Sequence, residues 1–159
     1  MVCSYAYGGN CIVGLAHSPS IVMNGLVLAL DAANSKSYPG SGTTWTDLSG
    51  NSNTGTLTNG PTYNSANGGS IVFDGVDDGV NIPHNSNIDI RNQITIECLF
   101  YLNSFTAGGP NADRITLITK VYSYYMTINL SGKIDTYFYG TGGYFSSNSS
   151  VNLNFSPSV

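Results

Sequence analysis

Residues 70–81 read SIVFDGVDDGVN, which places three carboxylates, Asp74, Asp77 and Asp78, beside two glycines in a short polar break. Carboxylates this close can share a proton in catalysis, hold a hard cation or cap the backbone of a turn. Glycoside hydrolysis needs two carboxyls about 5–5.5 Å apart for retention or about 6.5–9.5 Å for inversion. The chain has a single Glu, Glu97, and no paired Asp pattern on a strand face. A serine-type triad needs a His as base and an Asp to orient it. The two histidines, His17 and His84, sit in loops away from any Gly-x-Ser-x-Gly elbow. No catalytic residue is therefore assigned, and the chain is expected not to be an enzyme.

Calcium suits these oxygens better, because it takes about 6–8 hard oxygen ligands from carboxylates, amides and carbonyls. Asp31, Asp47, Asn51, Asn53, Asp74, Asp77 and Asp78 supply such oxygens near loops. The candidate calcium ligands are Asp77, Asp78, Asp74 and Asp31, with no spacing of the EF-hand kind to enforce them. The competing role is structural: Asp74 accepts backbone N–H groups in its Asp-Gly turn, and Asp77 and Asp78 do so in a second turn. Asp74 is the foremost turn residue of the three, and Asp77 the foremost ligand.

A second candidate surface is aromatic. Tyr122, Tyr124, Tyr125, Tyr137, Phe138, Tyr139, Tyr144 and Phe145 crowd the second half of the chain. Strand alternation puts Tyr137 and Tyr139 on one face and Phe138 on the other. Tyr125, Tyr137, Tyr139 and Tyr144 are the candidates for stacking on a carbohydrate or for lining a protein interface, where Tyr is enriched. The interface is the favoured of the two.

The elements that would position these groups are strands. GLVLALDA (25–32) is apolar on both faces, with Leu26, Leu28 and Leu30 opposite Val27 and Ala29, and reads as a central strand. A turn-rich stretch follows, with the short strand GTLT and the only Trp, Trp45, expected to pin the loop through its ring and a partnered N–H. SIVFD (70–74) and VNI (80–82) flank the Asp cluster. ITIECLFYL (94–102) alternates Ile94, Ile96, Cys98, Phe100 and Leu102 with Thr95, Glu97, Leu99 and Tyr101, the clearest strand signal in the chain. RITLITKV, YYMTINL and KIDTYFY follow, the last two joined by a tight Asn-Leu-Ser-Gly-Lys turn, and the tail has room for one short strand. No helical periodicity is sustained, so the class is an all-β sandwich.

Composition narrows the setting. Of the 159 residues only 9% are charged, against about 25% in an average soluble protein. Five basic residues are scattered singly and the net charge is −4, so no basic stripe exists for nucleic acid. No apolar run reaches the roughly 20 residues that cross a bilayer. MVCSYAYGGNCIVGLA is a poor signal peptide, and export by lysis, as of a phage particle, is the alternative to secretion. Residues 1–20 read as an N-terminal arm and 21–159 as one domain. Cys3 and Cys11 could close a small loop, while Cys98 is expected as a buried free thiol.

Residues 17–138 resemble the laminin G-like, concanavalin A-like jelly-roll family, in the variant found in structural proteins of tailed, especially marine, bacteriophages. The resemblance is carried by TTWTDLSGNSNTGTL, SIVFDGVDD, ITIECLFYLNS and LITKVYSYYMTINLSGKI. Two departures stand out. Leu99 occupies a place usually held by Trp, and the family's second half finds no counterpart before Val159. The fold implied is an all-β antiparallel jelly-roll sandwich, expected to be incomplete with its missing sheet replaced by a symmetry mate or a different protein, the alternatives being a gene fragment or a compact short variant. The function implied is a non-enzymatic virion surface protein: a capsid decoration, head fibre or tail-fibre element, with weak adhesion to host glycans. Its partners would be other virion proteins or copies of itself in a homo-oligomer. The alternative is a secreted or cell-surface laminin G-like lectin, and relatives of either kind often carry calcium at the sandwich rim.

Overall fold

The computed structural model describes residues 22–102, 114–129, 131–140 and 142–152, the side chains of 147–152 excepted. The expected N-terminal arm, His17 and the Cys3–Cys11 pair lie outside the described residues. Within them the chain is all-β: its strands form antiparallel sheets, and the only helical turns are two short 3-10 segments, Ala66–Gly68 and Ser86–Ile88.

The first half forms two small sheets. Strands β1 (Thr44–Trp45), β2 (Gly55–Thr58) and β5 (Gly79–Asn81) pair in the order β1-β2-β5, with Leu57 opposite Val80. Gly55 makes this packing possible: a Cβ there would lie 2.7 Å from Val80 Cγ1, with Ile82 and Leu30 close behind. Strands β3 (Thr62–Asn64) and β4 (Ser70–Val72) form a separate ribbon. Gly69 at its bend has a φ of 127°, and a Cβ would collide with the Tyr63 hydroxyl and the Ala32 carbonyl.

The second half is one four-stranded meander. It runs β6 (Arg114–Lys120), β7 (Tyr124–Asn129), β8 (Lys133–Gly140) and β9 (Gly143–Asn152), in that spatial order. β-branched and aromatic residues carry β6 to β8, whereas β9 is mostly Ser and Asn after its first three residues. The β7–β8 turn is the tight hairpin expected: Asn129 Oδ1 accepts the N–H groups of Ser131 and Lys133, and Gly132 takes a φ of 70°. β9 is the longest strand, not the short one expected.

The interior is thin. Tyr38, Leu57, Ile88, Tyr124, Met126 and Ile128 are buried among the described residues, and as many polar side chains are buried with them. Polar groups must find partners inside a protein, so hydrogen bonds carry much of the tertiary structure. Ser37, fully buried, donates its hydroxyl to the Thr46 carbonyl and accepts the Asp31 N–H. Ser123, equally buried, donates to the Ile90 carbonyl.

Two expected strands form no ladder. Residues 25–32 are held instead by side chains of the loop that follows β1. Asp47 Oδ1 accepts the Ala29 N–H, Ser49 Oγ and Asn53 Nδ2 donate to the Val27 carbonyl, and Asn51 Nδ2 donates to the Leu26 carbonyl. One backbone bond joins them, Leu48 N–H to the Ala29 carbonyl. Polar side chains thus take the backbone groups that a neighbouring strand would have used.

Residues 94–102 keep the burial alternation of a strand yet join no sheet. Ile94, Ile96, Phe100 and Leu102 are half-buried, while Thr95, Glu97, Leu99 and Tyr101 are exposed. Leu99 is fully exposed at 103% and Tyr101 at 84%. Cys98, expected buried, is a free and exposed thiol, because no layer among the described residues covers its side of the segment. Trp45 does pin its loop, edge-on to Tyr38 at 6.4 Å, but its indole N–H is buried with no partner among the described residues.

Candidate functional site

Cross-strand register builds an aromatic cluster from the sequence β7 YYMTIN, β8 KIDTYFYG and β9 GYF. Tyr125 stands opposite Tyr137, and Tyr139 opposite Tyr144. Alternation sends all four rings to one face and sends Tyr124, Met126 and Phe138 to the other. Tyr125 and Tyr137 stack at 4.1 Å with their planes 21° apart. Tyr144 closes the group, 5.6 Å from Tyr137 and 5.1 Å from Tyr139, edge-on to the latter. Tyr125 also lies 6.5 Å from Tyr139. All four candidate aromatic residues thus form one continuous cluster.

Tyr125 and Tyr137 cover one face of each other, while the remaining ring contacts are tilted or edge-on and Tyr144 stays half exposed. Desolvation and a hydrogen bond with Tyr144, aided by the neighbouring phenols, push the Tyr125 hydroxyl well above the usual tyrosine range. At neutral pH the Tyr125 hydroxyl is therefore uncharged. Further along the same face, Asp135 is buried, and its two carboxylate oxygens accept from Asn129 Nδ2 at 3.0 and 3.1 Å. Asn129 thereby ties Asp135 to the hairpin turn.

The opposite face is apolar. An open cleft of about 290 Å³ lies there, lined by Ile94, Ile96, Tyr124, Met126, Phe138 and Phe145 among others. Phe138 lies on this side, as its alternation with Tyr137 and Tyr139 predicts, and Tyr124 stands opposite it. Tyr122 projects from the β6–β7 turn with a φ of 59° and is exposed.

The carboxylates divide into a corner and a latch. At the corner between β4 and β5, one carboxylate oxygen from each of Asp74, Asp77 and Asp78 lies within 4.8 Å of the others. Asp74 Oδ1 accepts the Val76 N–H at 2.8 Å, and Asp78 Oδ2 accepts the Asp74 N–H at 2.9 Å. The turn role expected for Asp74 is therefore real, and Asp78 shares it. Asp77 is exposed and engages through its backbone: its carbonyl accepts Asn59 Nδ2 at 2.7 Å. Asp31 is not gathered into this group; its Oδ1 accepts the Ala33 N–H in a turn of its own.

Asp47 is the latch. Its Oδ1 accepts the N–H groups of Ala29 and Ser49, and its Oδ2 accepts the Ser49 hydroxyl and the Asn53 N–H, all between 2.7 and 2.9 Å. Burial works to raise its pKa, but the Ser49 hydroxyl and the three backbone N–H groups outweigh it and hold the carboxyl below its ordinary value. With both oxygens committed, Asp47 has no face left for a cation, and Asn53 is buried with its amide donated to Val27 and Asn87. Sequence reasoning grouped these residues with the calcium oxygens. The signal for the latch was present in Asp-Leu-Ser-Gly-Asn-Ser-Asn, since Asp with Ser two residues on is the pattern of an Asx turn.

The remaining candidate groups are dispersed. His84 Nδ1 accepts a 2.7 Å contact from Lys120 Nζ on the exposed surface. Glu97 stands on the exposed side of the unladdered segment. The chain matches no protein-family model, no curated protein and no solved structure.

Proposed function

We propose that this chain is a non-enzymatic surface module of a phage particle, a capsid decoration, head fibre or tail-fibre element, built as a laminin G-like, concanavalin A-like jelly roll. The observation that carries the reading is the tyrosine cluster: Tyr125, Tyr137, Tyr139 and Tyr144 crowd one face of the β6–β9 sheet, with their hydroxyls as its polar component. Such a surface, amphipathic and uncharged, suits protein contact, where aromatic residues are enriched and charges depleted. The stacking of Tyr125 on Tyr137 makes those two rings poorer sugar platforms, since a platform needs an aromatic face left open. Weak adhesion to host glycans is accordingly a secondary role, with Tyr144, the outermost ring, as its contact. The partners are copies of the same chain or other virion proteins.

The corner carboxylates fit a hard cation as a set of oxygens. Asp74, Asp77 and Asp78 would hold calcium through the oxygens not used by the turn, with water completing the shell. The ion would brace the β4–β5 corner and take part in no reaction.

Two measurements test the reading. Flanking genes that encode capsid or tail proteins support it, and flanking secretion genes favour the lectin alternative. On a glycan array, weak binding at most is expected. Tight binding to one glycan, abolished by Tyr144→Ser, would replace the structural role with a lectin role.

A further inference from the structure

We infer that residues 94–102 form the contact between two copies of the chain, pairing antiparallel with themselves about a two-fold axis at Cys98. The inference rests on the self-assembly part of the reading above and names its contact. The starting observation is that this segment alternates like a strand yet makes no backbone hydrogen bond to any described residue. A strand-like segment whose N–H and C=O groups meet no partner among the described residues is a template for another strand.

The occupant follows from the order of the side chains. A two-fold axis makes each contact occur twice, residue i on j and j on i. With Cys98 on the axis, the half-buried Ile94 meets Leu102 and Ile96 meets Phe100, and the exposed Cys98 meets its own copy. On the exposed side Thr95 meets Tyr101, and Glu97 meets Leu99. Every apolar inward residue meets another, and β-branched or aliphatic residues face aromatic or aliphatic ones, the pairs that stabilise sheets. The one carboxylate in the segment faces Leu99, not its own copy, so the pairing opposes no like charges. Leu99, wholly exposed in the single chain, gains a neighbour.

Cys98 reports the geometry directly. Residues opposite one another in an antiparallel pair have Cα atoms about 4.5 or about 5.5 Å apart. Both distances fall within the range a disulfide spans. The test uses the full chain with Cys3→Ser and Cys11→Ser, followed by light scattering and by mild oxidation. The expected result is a dimer that oxidation locks through Cys98. Leu99→Glu sets carboxylate against carboxylate across the axis and weakens the dimer at least tenfold. Leu99→Lys, facing Glu97, keeps or strengthens it. Neither change touches a packed residue, so both variants fold. A dimer that Leu99→Glu leaves intact, or that oxidation does not lock, overturns this pairing and leaves self-assembly standing. A monomer under all conditions overturns both.

Discussion

Replacing Asp47 tests whether a side-chain latch does the work of a missing strand pairing. Asp47→Ala strands the Asn53 N–H, which is buried, and loosens Ala29 and Ser49, which are half-buried. A buried donor left unpaired costs about 1–3 kcal/mol, and a bond to a charged acceptor contributes about 1.5–3 kcal/mol net, less where the freed donor can turn to water. With water able to reach Ala29 and Ser49, the sum is about 3 kcal/mol. That lowers the melting temperature of a domain of this size by about 6–12 °C. Asp47→Asn is the sharper variant. Its amide is best turned toward Ser49, whose hydroxyl can rotate to accept, yet the Asn53 N–H then still faces a donor, at a cost of about 2 kcal/mol. The sign with pH follows from the depressed pKa. The carboxylate's contribution is complete above its ordinary value of 3.8 and is lost as the pH falls through the lower folded value. Urea melts from neutral pH down into the acid range therefore show wild type and Asp47→Asn converging in acid. An Asp47→Asn protein within about 0.5 kcal/mol of wild type at neutral pH, or a gap unchanged in acid, would refute the reasoning.

Tyr137→Ala, which removes the central stacked ring, destabilises by about 2 kcal/mol in urea melts, whereas Tyr144→Ala at the exposed margin costs under about 1 kcal/mol. The raised Tyr125 pKa gives stability that is complete below pH 10.0 and is lost as the pH rises from there through the folded value; in an alkaline absorbance titration Tyr125 and the buried Tyr124, whose pKa is also raised by desolvation, both ionise late, and Tyr125→Phe removes one of these two steps. Asp77→Asn relieves repulsion among the three corner carboxylates and raises the calcium-free melting temperature by about 1–2 °C. Millimolar calcium stabilises the wild type but not this variant, and magnesium stabilises neither.

The sheet of the second half was legible because alternation alone specifies which side chains share a face. Tyr137 and Tyr139 came out together and opposite Phe138 for that reason. The stacking of Tyr125 on Tyr137 was not legible, since it depends on register, which the Asn129–Lys133 turn sets. Residues 25–32 and 94–102 carried the strongest apolar signals and yet form no ladder. Hydrophobic pattern reports a strand's faces, whereas a ladder requires a neighbour, and neither segment has one among the described residues. For 25–32 the substitutes are Asp47, Ser49, Asn51 and Asn53, roughly twenty residues distant, and no local propensity predicts that reach. The Asp corner was read in outline: Asp74 closes the turn as expected, Asp78 joins it, and Asp31 stays apart.

Asn59 links this corner to time. It sits in a left-handed turn with a φ of 68°, immediately before Gly60, and its amide is the donor that holds the Asp77 carbonyl. Loss of that amide to hydrolysis would exchange a donor for an acceptor at the same place and set a fourth carboxylate beside three. The β4–β5 corner would open without any change in the gene. The durability of the fold at this edge thus rests on the chemical lifetime of one exposed side chain.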